Sequence, residues 1–229
     1  MRMMKLKLLI CNHKNKLTYN EVKKYVDDLK NLDTSKVDFV VCPSLPYIYN
    51  FIDYKLASQD ISAYDETITG EVTGTQLKNL LINYVIIGHA ERRKYLHEDK
   101  ETLIRKIINA NKNDIKVIYC VTEEESDLDS AKKKIKEELD KVRSYLKDDA
   151  IIAYEPMWAI GNNVELDYLY IKDIINYMKT LVNNKIIYGG SVNITNIDKL
   201  LTMVEIDGFL VSNSCLNINK LQKIIEKIS

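Results

Sequence analysis

Eight short runs of apolar, mostly β-branched residues recur along the chain, at 6–11, 37–42, 56–59, 84–87, 115–120, 150–154, 185–188 and 206–211. Apolar residues adjoin one another in each run rather than alternating strictly with polar ones, so each reads as a strand buried on both faces. That is the pattern of a parallel sheet, whose neighbouring strands must be joined by long crossovers. The segments between the runs supply them. Leu128, Ala131, Ile135, Leu139, Val142 and Leu146 step by three and four residues and build one apolar stripe backed by Lys and Glu. Thr18 and Glu21 have the spacing of a capping box, with Val22, Tyr25, Val26 and Leu29 following on one helix face. Segments 164–181 and 216–228 show similar periodicity.

Eight strand-then-helix units fit 229 residues at about 29 each, with no Pro-rich linker or break in composition. The expected fold is therefore α/β, a (β/α)8 barrel of eight parallel strands with outer helices, in a single domain over 1–229. A doubly wound open sheet is the competitor, but its dinucleotide-binding form wants G-x-G-x-x-G after an early strand, and the chain has none. The unit between strands two and three, with a helix over roughly 46–54, is unusually short.

Lys+Arg and Asp+Glu are 33 each, so no global field favours nucleic acid and any anion must be held locally. No stretch approaches the roughly 18 apolar residues that read as a membrane span. The run after Met1-Arg2-Met3-Met4-Lys5 is too short for a signal peptide. Cys11, Cys42, Cys120 and Cys215 form no C-x-x-C pair, so free structural thiols in a reducing cytoplasm are expected.

In such a barrel the site lies at the carboxyl ends of the strands, which directs attention to polar residues just after each apolar run. Asn12-His13-Lys14 follows strand one, and Gly88-His89-Ala90-Glu91-Arg92-Arg93 follows strand four, placing an imidazole at a helix start. Strand six runs through Tyr154 into Glu155-Pro156-Met157-Trp158-Ala159-Ile160-Gly161. A carboxylate there costs desolvation unless it has a partner or a task, and Pro and Gly bracketing an apolar loop indicate a lid. Gly189-Gly190-Ser191 and Ser212-Asn213-Ser214 follow strands seven and eight, where backbone N–H groups can cradle an anion. Three of only seven glycines, Gly161, Gly189 and Gly190, fall at this mouth. From the residues alone, the result is a barrel enzyme acting on a small phosphorylated substrate.

At these positions the sequence resembles the triosephosphate isomerase family along nearly its whole length. The family's N-x-K is met by Asn12-His13-Lys14, its G-H-S-E-R-R by residues 88–93, its Y-E-P-x-W-A-I-G by 154–161 and its Y-G-G-S-V by 188–192. A-Q-x-x-S-A, T-G-E-V and I-D-G-x-L-V are met at 58–63, 69–72 and 206–211. The resemblance implies a TIM barrel that interconverts dihydroxyacetone phosphate and D-glyceraldehyde 3-phosphate without metal or nicotinamide, in glycolysis and gluconeogenesis. It makes Glu155 the base, His89 a neutral imidazole on the carbonyl oxygen, and Lys14 the positive charge facing enediolate and phosphate; that Glu and His pair is a standard worked case of tuned acid–base catalysis. Asn12 would position substrate and Lys14, and Gly161, Ser191, Ser212 and Asn213 would meet the phosphate. Pro156, Met157, Trp158, Ala159, Ile160 and Gly161 would form the lid, supported by Tyr188 and Glu123, with Glu91 and Arg92 standing behind the site. Segment 60–73, from Asp60 to Thr73, resembles the loop that plugs into a second subunit, implying a homodimer.

The chain departs from the family at several of these points. Ser212-Asn213 replaces Gly-Gly, which predicts a weaker phosphate site and a higher KM, with Asn213 the better suited of the two to left-handed geometry. His13 stands for Trp, Ala90 for Ser, Asn162-Asn163-Val164 for Thr-Gly-Lys, and Asp65-Glu66-Thr67-Ile68 for a Gly-containing loop tip. A metal-dependent pentose phosphate epimerase would share the barrel but needs several converging His and carboxylate ligands, and the chain has three His. A catalytically impaired barrel kept for binding or scaffolding would have lost a proton-transfer group, whereas Glu155, His89 and Lys14 are all present.

Overall fold

Alternate residues of a buried strand face opposite ways, so a strand apolar on both sides must be covered on both. A computed structural model of the chain, which describes residues 6–124, 127–159 and 166–229, solves this by closing the sheet on itself. The strands are β1 (Leu8–Asn12), β2 (Asp38–Cys42), β3 (Lys55–Ser58), β4 (Tyr84–Ile87), β5 (Lys116–Glu123), β6 (Ile151–Pro156), β7 (Lys185–Tyr188) and β8 (Gly208–Val211). Each pairs in parallel with the next, and β8 returns to β1 with Leu8 opposite Gly208 and Cys11 opposite Val211. A side chain at Gly208 would place its Cβ 2.1 Å from the Leu8 carbonyl oxygen, so the closing strand begins with the one residue that fits.

Leu8, Ile10, Val40, Cys42, Ala57, Ile86, Ile118, Cys120, Ala153, Ile187 and Leu210 form one apolar cluster, filling the barrel. The strand residues between them, such as Leu9, Cys11, Val41, Val85, Tyr119 and Ile152, join a second cluster with the helices. These helices are α1 (Tyr19–Leu29), α2 (Gly74–Asn79), α3 (Ala90–Leu96), α4 (Lys100–Lys112), α5 (Leu128–Val142), α6 (Tyr168–Leu181), α7 (Ile197–Leu201) and α8 (Ile218–Ile228). In α5 the expected stripe is the buried face, formed by Ala131, Ile135, Leu139 and Val142, while Leu146 packs beyond the helix end. The Thr18 N–H and hydroxyl both reach the Glu21 carboxylate, at 2.8 and 2.6 Å, as the spacing of the two residues predicts for the start of α1.

The short second crossover is a 3-10 helix, Leu45–Phe51, opened by Pro46 and closed over the core by buried Ile48 and Phe51. All four cysteines are buried and free. Among the described residues no helix is long and apolar enough to cross a membrane.

Candidate active site

Lys14 lies just past β1 with φ at 51°, a left-handed conformation that costs a residue other than glycine about 1–3 kcal/mol. Three hydrogen bonds hold it there. Its N–H donates to Asn12 Oδ1 at 3.0 Å, and its carbonyl accepts from Ser44 Oγ at 2.5 Å and Gln59 Nε2 at 2.7 Å. The side chain then sends Nζ to Glu91 Oε1 at 2.6 Å.

His89 caps the N-terminus of α3, its Nδ1 accepting the Glu91 N–H at 3.2 Å. A ring nitrogen that accepts carries no proton, so the hydrogen of the neutral imidazole sits on Nε2. That nitrogen faces Glu155 Oε1 at 3.4 Å. Glu155 sits next to the end of β6 and is only 1% exposed, so its carboxylate needs partners inside the protein. One is the Ala90 N–H at the start of α3, 3.2 Å from Oε2. Another is the Cys120 thiol inside the barrel, whose pKa is raised well above the usual thiol range by burial first and by the Glu155 charge second. Cys120 thus stays protonated beside the carboxylate. Gly189 provides the clearance, since a Cβ there would lie 2.9 Å from Glu155 Cγ.

A cavity of about 220 Å³ opens beside these groups, lined by Lys14, Lys16, His89, Glu91, 189–192 and 212–214. Lys14, His89, Ser191, Ser212 and Asn213 thus meet at one opening, with Asn12 buried behind Lys14 and Glu155 behind His89. Asn213 adopts right-handed helical angles, φ −62° and ψ −42°, and neither it nor Ser212 has positive φ. The tolerance of Asn for left-handed geometry is therefore not called upon, because the turn leads directly into the 3-10 helix Ser214–Leu216.

Glu123, at the end of β5, is buried and accepts from Tyr154 OH at 2.8 Å and Trp158 Nε1 at 3.0 Å. It thereby ties β6 to the 3-10 turn Met157–Ala159 that follows Pro156. The Tyr188 hydroxyl is buried with no hydrogen-bond partner among the described residues. Ile160 and Gly161, and the Asn162-Asn163-Val164 departure, lie outside the described residues. Arg92 turns away from the cavity to Asp60 and Glu98, both at 2.6 Å, anchoring the start of segment 60–73.

No sequence pattern assigns a task to Ser44, Gln59 or Arg93. Ser44 and Gln59 sit just past β2 and β3, so the strand-end criterion that selects Lys14 would also have selected them. Arg93 bonds the carbonyls of Gly88 and Cys120 at 2.7 and 2.9 Å and Glu138 at 2.7 Å, bracing the end of β4 against the middle of β5 and against α5.

The family model described as triosephosphate isomerase matches residues 7–228. The chain belongs to the triosephosphate isomerase family. It is 35% identical to the triosephosphate isomerase of Mesomycoplasma hyopneumoniae (strain 232), covering 96% of this chain and 98% of that protein. Triosephosphate isomerases of Mycoplasma mobile and Orientia tsutsugamushi (strain Boryong) are 34% and 33% identical, over 97% and 96% of this chain and 100% and 97% of theirs.

Two departures from the triosephosphate isomerase pattern have visible local consequences. With Ala90 in place of Ser, only a backbone N–H at that residue holds Glu155. His13, in place of Trp, points into an aromatic cluster with its ring edge-on to Tyr25 at 4.7 Å and Phe51 at 5.4 Å. Both ring nitrogens lack hydrogen-bond partners among the described residues, and burial lowers the His13 pKa to about 4.

Proposed function

We propose that this chain interconverts dihydroxyacetone phosphate and D-glyceraldehyde 3-phosphate by shuttling one proton between neighbouring carbons. Glu155 takes the proton from the carbon beside the carbonyl, leaving an enediolate, and returns it to the adjacent carbon. The neutral His89 imidazole donates Nε2–H to the carbonyl oxygen as negative charge builds there, and regains a proton from the neighbouring hydroxyl, so that the carbonyl moves to the adjacent carbon. Lys14 places its ammonium against the same charge, oriented by Asn12. The observation that carries this reading is the facing pair: His89 Nε2 and Glu155 Oε1 lie 3.4 Å apart, with the His89 tautomer set by the Glu91 N–H. Such an arrangement supplies an acid and a base side by side without water between them.

Backbone N–H groups at Ser191, Ser212 and Asn213, joined by Gly161, bind the phosphate in this reading. The segment from Pro156 to Gly161, including Met157, Trp158, Ala159 and Ile160, closes over the triose and expels water. The buried Tyr188 hydroxyl supports closure, because an unsatisfied buried hydroxyl costs about 1–3 kcal/mol that a lid partner would recover. No metal or organic cofactor takes part. Residues 1–229 act as one barrel domain and pair as a homodimer through segment 60–73, where Tyr64 and Ile68 are exposed. Four buried free thiols suit a cytoplasmic home.

The test is a coupled assay of triose phosphate interconversion in the presence of a chelator. Turnover unaffected by the chelator is expected; no turnover, or turnover abolished by it, would overturn the assignment.

A further inference from the structure

A dianionic substrate has to be held by a chain whose acidic and basic residues cancel, 33 against 33. Two lysines line the cavity, Lys14 and Lys16, and their charges are not equivalent. The Lys14 ammonium contacts the Glu91 carboxylate at 2.6 Å, so that pair brings little net charge. Lys16 instead donates to Asn213 Oδ1 at 2.5 Å, a neutral amide oxygen, and no carboxylate among the described residues pairs with it. Its charge is the uncompensated one at the 212–214 end of the cavity.

Topology explains the contact. Lys16 follows β1 and Asn213 follows β8, and these strands are neighbours where the barrel closes, with Cys11 opposite Val211. The two loops therefore leave the sheet side by side. An ammonium has three donors, and Asn213 takes one, leaving two for an anion in the cavity that Lys16 lines.

We propose that Lys16 is a phosphate-binding residue of this site and that Asn213 positions it. This deepens the triose phosphate reading and rests on it. It also reverses the expectation drawn from the replaced Gly-Gly pair. The backbone at 212–213 needs no glycine, and the Asn213 side chain supplies an acceptor for Lys16 that glycine lacks. Ser212-Asn213 thus accompanies a cation at the phosphate end instead of weakening it.

Lys16→Met, Lys16→Arg and Asn213→Gly are the informative variants, with Lys223→Met, an exposed lysine of α8, as the control for generic loss of charge. The readouts are KM for D-glyceraldehyde 3-phosphate, kcat, and the inhibition constant of inorganic phosphate. Lys16→Met is expected to raise KM and the phosphate constant about tenfold, as losing a charge-assisted hydrogen bond does, with KM changing more than kcat. Lys16→Arg should retain most of the affinity, Asn213→Gly should fall between, and the control should match the parent. A phosphate constant unchanged in Lys16→Met, or equally changed in Lys223→Met, overturns the proposal. Should the parent fail to turn over triose phosphates, the functional reading falls by itself. Calorimetric phosphate binding to the parent and Lys16→Met then decides this inference: weaker binding in the variant supports it and equal binding overturns it.

Discussion

His13 is buried neutral with a pKa of about 4, so between that pH and the ordinary histidine value near 6.5 the unfolded chain holds a proton that the folded one does not. Stability therefore falls as pH drops through this window, by up to about 1.4 kcal/mol per pH unit from this residue. His13→Phe should raise the melting temperature and flatten the profile between pH 4 and 6.5, because it keeps the aromatic contacts and removes two buried nitrogens without partners among the described residues. A variant whose profile has the same slope as the parent would show that His13 is not the group responsible. Gly189→Ala tests the clearance beside the base. Its Cβ would press on Glu155 Cγ at 2.9 Å, and displacing the carboxylate by a fraction of an ångström is expected to cut kcat about tenfold to a hundredfold. Unchanged kcat would mean that Glu155 tolerates the push.

At the scale of elements, Glu123 is the joint between β5, β6 and the turn after Pro156. Glu123→Ala strips one acceptor from both Tyr154 and Trp158, so a loss of roughly 1–3 kcal/mol in chemical denaturation is expected. Trp158 is the sole tryptophan, so its emission should shift in the same variant; an unaltered spectrum would contradict the contact. The strands were largely legible: β4 and β7 have the bounds that the apolar runs predict, since a strand buried on both faces announces itself by composition. β5 runs three residues further, through Val121, Thr122 and Glu123, because its pairing with β6 continues to Pro156 and overrides the polar residues. Lys14, His89 and Glu155 were legible as strand-end residues. What surrounds them was not. The Cys120 contact with Glu155, the Ser44 and Gln59 bonds to the Lys14 carbonyl, and the orphaned ring of His13 join residues distant in sequence, and only three-dimensional packing brings them together.

For the whole molecule, barrel closure is what gathers an amine from β1, an imidazole from β4 and a carboxylate from β6 around one cavity. The homodimer reading predicts a mass in solution about twice the 26.6 kDa of the chain. Ile68→Lys, at the exposed tip of segment 60–73, should shift that mass toward the monomer in light scattering. A dimer unaffected by the charge, or a parent that is monomeric at all concentrations, would move the interface elsewhere or remove it. If Glu155 moves the proton, kcat of Glu155→Asp, measured beside its affinity for inorganic phosphate, reports it. Shortening the side chain retracts the carboxylate by about 1 Å, so kcat should drop about a hundredfold while phosphate binding stays near that of the parent. Turnover close to the parent's in a folded Glu155→Asp protein would contradict the account.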